Sequence, residues 1–224
     1  MNILLTNDDG YNSVGIKLLK EKLSPFGHVV ICAPKEHMSA KSVSITFGAP
    51  MEVVKAEEDV FVCDGTPADC VAFGLSSLNT KFDLVVSGCN HGFNISYDIM
   101  YSGTVGACLQ ALTYRIPAVA ISCEGNFHIV DEYFEQVFKH ILDNKMLSTE
   151  YLLNVNFPLG DRVSSIEDTR VFYRPENTYY VEQSKDHYLA LRDIHDKDCM
   201  EIGTDVYAVH HRIVSITKIS KING

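Results

Sequence analysis

With 224 residues, 46% of them hydrophobic, the sequence is long and apolar enough to bury a substantial core without disulfide or metal staples. Its 29 Asp and Glu outnumber 19 Lys and Arg for a formal net charge of −10, and no basic tract interrupts that excess, which argues against a nucleic acid polymer or a membrane surface as partner. A small anionic ligand stays compatible, because a bound divalent cation reverses the local field of an acidic protein.

The first element is a strand over residues 2–6, whose apolar run Ile3-Leu4-Leu5 ends at Asn7-Asp8-Asp9-Gly10. Neighbouring strand residues point to opposite faces, so Asp8 and Asp9 serve one ion only where the chain turns, and Gly10 permits that turn. A helix over 13–24 and a strand over 28–33 follow. This strand runs into Ala33-Pro34-Lys35-Glu36-His37-Met38-Ser39-Ala40-Lys41-Ser42, a loop offering the Ser39 hydroxyl and two lysines. Next come strand-like segments at 43–47 and 51–54, a strand at 60–63, a helix at 67–78 and a strand at 83–87.

The last of these opens into Ser87-Gly88-Cys89-Asn90-His91-Gly92-Phe93-Asn94. Its composition suits a turn and a binding loop equally, since Asn90 and Asn94 offer carbonyl oxygens to a hard cation or amide donors to an oxyanion. Tyr101-Ser102-Gly103-Thr104 then leads into a helix over 104–114, which Ser102 or Thr104 can cap. Most such starts are caps only, yet the unpaired N–H groups and positive dipole end also suit a phosphate. A strand at 118–122, a helix at 130–145 and a strand at 151–156 follow.

Runs such as Asp83-Leu84-Val85-Val86-Ser87 are continuous rather than alternating, as in strands covered on both faces. Alternation of strands and helices gives an α/β fold, a Rossmann-like, doubly wound, mainly parallel sheet over residues 1–160. Residues 161–224 are β-rich, without a convincing helical period, and read as hairpins folded on their own core or as an arm packing on another subunit, with a last strand returning to the core.

In such folds ligands bind at the carboxyl ends of the strands, where the four loops should converge. Asp8, Asp9, Ser39 and Asn90 make an all-oxygen set suited to Mg²⁺ or Mn²⁺ rather than zinc, and two carboxylates offset one divalent ion so that a phosphate dianion can approach. His91 could be a general acid, although a structural hydrogen bond is the commoner role of a loop histidine. Asp193-Ile194-His195-Asp196-Lys197-Asp198 reads as a solvated loop. The seven cysteines show no zinc-knuckle spacing and no C-x-x-C; they read as buried, reduced thiols. Cys108 and Arg115 are one residue too far apart for a Cys-x5-Arg phosphatase loop, and G-x-S-x-G, Walker and G-x-G-x-x-G motifs are absent. Without a charged n-region or a long apolar stretch, the cytoplasm is the expected compartment.

These motifs, together with Asp64-Gly65-Thr66-Pro67-Ala68-Asp69-Cys70-Val71, Asn154-Val155-Asn156-Phe157-Pro158, Thr204-Asp205 and Val214-Ser215-Ile216-Thr217, span nearly the whole chain, and in that order the sequence resembles the SurE (survival protein E) family. It departs from the family pattern at Ala40 and Arg212, where glycine is usual, and at Lys218, where proline is usual. The resemblance implies one divalent metal ion per subunit on Asp8, Asp9, Ser39 and Asn90, and a phosphate site at Asn94, Ser102, Gly103 and Thr104. It also implies a homodimer or homotetramer built through the C-terminal arm, and hydrolysis of nucleoside 5′- and often 3′-monophosphates, in some members also of polyphosphate. Asp8 or Asp9 would orient or deprotonate the attacking water. The rival expectation is a regulatory nucleotide-binding protein that keeps the pocket without turnover.

Overall fold

The computed structural model describes residues 1–173, 178–192 and 201–220. Its first half is built from β1 (Asn2–Thr6), α1 (Val14–Leu23), β2 (His28–Pro34), β3 (Val53–Glu57), β4 (Val60–Cys63), α2 (Pro67–Ser77) and β5 (Leu84–His91). Then follow α3 (Asp98–Tyr101), α4 (Gly103–Thr113), β6 (Ala118–Cys123), α5 (His128–Asp143) and β7 (Tyr151–Phe157). The remainder contributes β8 (Ser165–Thr169), β9 (Thr178–Ser184), β10 (His187–Arg192), α6 (Asp205–His210) and β11 (Ile213–Ser220).

A single nine-stranded sheet runs in the order β3-β4-β2-β1-β5-β6-β7-β11-β8. The strands from β4 to β7 are parallel, while β3 and β11 run against their neighbours β4 and β7. Alternation along β1 divides the core. Ile3 and Leu5 face Ile16 and Leu19 of α1 and Phe134 and Phe138 of α5, whereas Leu4 faces Val71 of α2 and Val105 and Leu112 of α4. Both faces are therefore covered, which is why Leu84, Val85 and Val86 can all be fully buried.

The chain winds outward from β1 through β2 to β4, then returns so that β5 lies on the other side of β1. This reversal is the topological switch point of the sheet, where a crevice opens beyond the carboxyl ends of the strands. Asp8 and Asp9 leave β1 there, and Asn90 sits at the end of β5.

Three segments differ from the sequence expectation. Residues 43–47 form no strand, because their polar groups are held by helix ends: Thr46 N and Oγ1 donate to the Asp69 carboxylate at 2.8 and 2.7 Å, and Thr66 Oγ1 donates to Ser44 O at 2.6 Å. Asp69 and Thr66 also close a reciprocal capping box on α2. Residues 161–224, where the sequence shows no convincing helical period, contain α6, six residues long and too short to show one; its start is marked by Thr204 Oγ1, which accepts Tyr207 N at 3.2 Å. The short helix α3 was likewise unsigned. The Asp193–Asp198 stretch and Cys199 lie outside the described residues.

Arg212, just beyond α6, has φ 61°, and Ala40 has φ 57°. Left-handed backbone penalises any Cβ, so the two positions where the family pattern has glycine are places where this chain carries strain. Arg212→Gly is expected to stabilise the fold by about 1 kcal/mol, part of the relieved strain being offset by the flexibility of glycine in the unfolded chain, and thermal denaturation measures it.

β9 and β10 pair antiparallel as a separate two-stranded ribbon whose residues are all exposed, including Tyr180 at 69% and Leu189 at 48%. A two-stranded ribbon is marginal on its own in water. Among the described residues, no helix is long and apolar enough to cross a membrane.

Candidate active site

At the switch point an open cavity of about 360 Å³ is bordered by Asp8, Asp9, Ser39, Asn90, Asn94 and Ser102. Six of the eight residues singled out in the sequence thus meet on one surface. Gly103 and Thr104 stand behind it and act on it through Asp8.

Asp8 is 3% exposed, and its carboxylate accepts a 2.7 Å hydrogen bond from Thr104 Oγ1. Burial pushes its pKa above the usual carboxylate value, with the neighbouring Asp9 charge adding to the effect and the Thr104 hydroxyl opposing it. Gly103 lets α4 begin against this carboxylate: a Cβ there would lie 3.0 Å from both Asp8 Cβ and Asp8 Oδ2. The N-terminus of α4 is capped by Ser102 Oγ, which accepts Val105 N at 3.1 Å. Its first-turn N–H groups and dipole supply positive potential beside two carboxylates.

Asp9 is more open than Asp8, its side chain 19% exposed, and its Oδ1 lies 3.3 Å from His37 Nε2. The same ring nitrogen is 3.0 Å from Ser39 Oγ, so His37 ties the β2 loop to the Asp pair. Met38 N donates to Asp8 O at 2.7 Å and fixes the loop from the other side. Asn90 Nδ2 donates to Gly92 O at 2.9 Å, so Oδ1 is the atom its amide can offer to an ion.

Asn94 is held from three directions by buried groups. Its N–H donates to Asn156 Oδ1 at 2.9 Å, and its carbonyl accepts from Asn154 Nδ2 at 2.7 Å and Asn156 Nδ2 at 3.1 Å. Its own Nδ2 reaches Ser122 Oγ at 2.8 Å. Asp205, fully buried, does the same for the next turn by accepting Ser96 N and Phe172 N, each at 2.9 Å. Burial raises the Asp205 pKa while those backbone donors lower it.

Two residues bordering the cavity carried no sequence signal for this place. Arg192, at the end of β10, pairs with Asp98 and stacks its guanidinium 4.8 Å from the Tyr101 ring centre. Nothing local links it to residues 94 positions away. His37 was in view with Ser39, but only the structure sets it against Asp9. His91 Nε2 meets Gly125 O at 2.6 Å, the structural bond expected of a loop histidine, and Lys35 and Lys41 are exposed and do not line the cavity.

The donor set fits a hard divalent cation. It consists of carboxylate, amide and hydroxyl oxygens only, and a buried carboxylate whose charged form is disfavoured lacks the countercharge that a cation would bring.

A family model described as survival protein SurE matches residues 3–180. A 5'-nucleotidase SurE of Clostridium botulinum (strain Alaska E43 / Type E3) is 38% identical over 239 residues, covering 98% of this chain and 93% of its own. One of Acinetobacter baylyi is 35% identical over 240 residues, with the same coverage of 98% and 93%. The crystal structure of the SurE protein from Aquifex aeolicus superposes with a TM-score of 0.84 at 33% identity, covering 98% of this chain and 93% of that one.

Proposed function

From the premise that the chain belongs to the survival protein SurE family, we propose that it is a divalent-metal-dependent 5'-nucleotidase that hydrolyses nucleoside monophosphates to nucleoside and phosphate. The reading rests above all on one observation: Asp8, desolvated and paired with Asp9, lies where α4 begins, so cation ligands and an anion-binding helix start share one cavity. Asp8, Asp9, Ser39 and Asn90 would hold the ion. When bound, Mg²⁺ or Mn²⁺ supplies countercharge for phosphoryl oxygens and acidity for water.

The rest is done by the chain. Asn94, Ser102 and the first turn of α4, with Gly103 and Thr104, orient the phosphoryl group and stabilise charge on its equatorial oxygens. Thr104 fixes Asp8 through its hydroxyl, leaving Asp9, the more exposed carboxylate, to accept the proton of the attacking water. Arg192 adds a cation at the rim, suited to an anionic substrate approaching an acidic protein.

Phosphate release from 5'- and 3'-nucleoside monophosphates and from short polyphosphate, measured after EDTA treatment with Mg²⁺ or Mn²⁺ restored, tests this. Activity with 5'-monophosphates should vanish in EDTA and return with metal. Nucleotide binding without release under any metal would establish the regulatory reading instead. Removing the ion is also expected to lower the melting temperature, because a ligand bound only by the folded state stabilises it by mass action.

The exposed ribbon supports a second part of the reading, in which residues 1–160 are the catalytic unit and the 161–224 extension joins subunits as a homodimer or homotetramer. Exposed Tyr180, Tyr188 and Leu189 then find cover on a partner. Tyr180→Asp combined with Leu189→Asp should shift the mass in light scattering towards the monomer. Wild type should melt at a temperature that rises with protein concentration, whereas a concentration-independent value would count against an arm-built assembly.

A further inference from the structure

On the α2 face of the sheet, three cysteines from three elements meet in the core: Cys32 of β2, Cys63 closing β4 and Cys70 in the first turns of α2. All three are fully buried, and their sulfurs lie within 4.8 Å of one another, with Cys32 and Cys63 3.4 Å apart. We infer that Cys32, Cys63 and Cys70 form a second ion site, sulfur-only and three-coordinate, that takes one monovalent thiophilic cation, Cu(I).

Geometry and donor chemistry select the ion. Three sulfurs about 2.3 Å from a central ion in one plane stand about 4 Å apart, a spacing the trio reaches by shifts of a few tenths of an ångström. Structural zinc takes four ligands, and among the described residues the group contains no fourth Cys, His or carboxylate. Soft thiolates also discriminate against Mg²⁺ and Mn²⁺, so the two sites of this chain would sort ions by hardness. The separation of Cys32 and Cys63 is well beyond the roughly 2.0 Å of a disulfide, which would in any case leave the third thiol unused.

The thiols are poised unequally. Hydrogen bonds from Cys32 and then Cys70 favour the Cys63 thiolate, while its hydrogen bond to Cys63 raises Cys32, and burial raises Cys70. Uptake changes the oxidation state of neither copper nor sulfur. Each thiol that ligates as a thiolate releases one proton to solvent, so affinity rises with pH. Entry to the buried trio would require local opening, and the nearest exposed cover is the loop around Thr46, which Asp69, adjacent to Cys70, fastens through two hydrogen bonds.

The test is anaerobic titration of the full, reduced, metal-free chain with Cu(I) against a competing chromogenic chelator, with X-ray absorption on the product. One Cu(I) per chain with three sulfur neighbours is expected. Cys70→Ser should weaken capture by at least about a hundredfold, since removing a ligand costs more than the roughly 10–100-fold of removing an outer-shell partner, while Cys108→Ser and Cys199→Ser keep it. No capture by wild type overturns the inference, and so does equal loss in Cys108→Ser. Two sulfur neighbours also overturn it, because the Cys89 and Cys123 pair, 3.8 Å apart, could then account for binding. The absorption result on wild type stands even if Cys70→Ser fails to fold.

Discussion

Asp8→Asn and Asp9→Asn are each expected to lower metal-restored phosphate release by on the order of a thousandfold, since in the proposed mechanism each removes a charge that holds the cation and orients water. The two variants should then part company in stability. Burial raises the folded-state pKa of Asp8 above its unfolded value, so without metal, at pH values between the two, the folded chain retains a proton that the unfolded chain has released. Stability from this group is therefore present at low pH and lost as pH rises through the folded pKa. Asparagine has no charge to desolvate, and its Oδ1 can still accept from Thr104 Oγ1. In EDTA near neutral pH, Asp8→Asn should melt above wild type, and this difference should shrink as the pH is lowered towards the unfolded carboxylate value. A lower melting temperature for Asp8→Asn in EDTA would mean that the carboxylate stabilises the metal-free fold, against the account given above.

Asn156→Ala should damage fold and catalysis together. Its side chain accepts Asn94 N and donates to Asn94 O, and both asparagines are buried. Truncation leaves a buried N–H without its acceptor, at a cost of about 2–3 kcal/mol including the small cavity, which urea denaturation would report as a lower midpoint with an unchanged slope. Asn94 keeps Asn154 and Ser122 as partners, so the loop survives but is less well placed. A displacement of about 1 Å at a phosphate-binding group costs roughly a hundredfold in rate. Asn156→Asp is the sharper comparison. It can still accept from Asn94 N, but it loses the donor to Asn94 O and buries a negative charge beside the proposed phosphate site, so it should lower stability at least as much as Asn156→Ala does and lower activity further. Wild-type turnover in Asn156→Ala would show that Asn94 needs no such support.

Much of this architecture is legible in the sequence. The central strands are continuous apolar runs, and the loops after β1, β2 and β5 carry their oxygen donors within a few residues of the strand end, so the proposed ligand set is local in sequence. The support behind it was not. Ser122, Asn154 and Asn156 face Asn94 because β6 and β7 lie beside β5, a neighbourhood fixed by sheet order and not by spacing. Residues 43–47 have the β-branched alternation of a strand, yet Asp69 and Thr66 claim their hydrogen bonds. The reach of Arg192 to Asp98 depends on where the hairpin ribbon lies, which its composition does not encode. Thr104 was legible as a hydroxyl at a helix start, but its 2.7 Å bond to Asp8 required the absence of a side chain at Gly103.

The insertion of β11 between β7 and β8 has a temporal side. β8 has its ladder with β11, and the partner of Thr169 is Thr217, 48 residues further along. A ribosome therefore releases β7 and β8 well before the strand that joins them has been made. During that interval the nascent sheet presents the flank of β7, with Leu152, Leu153 and Val155, as an unpaired edge, and the tyrosine-bearing ribbon emerges while it is still open. Such an edge is a template for pairing with another chain. The polypeptide thus passes an aggregation-prone moment before residues 213–220 emerge, and a stalled or truncated product lacking them would be a substrate for holding chaperones rather than a smaller working enzyme.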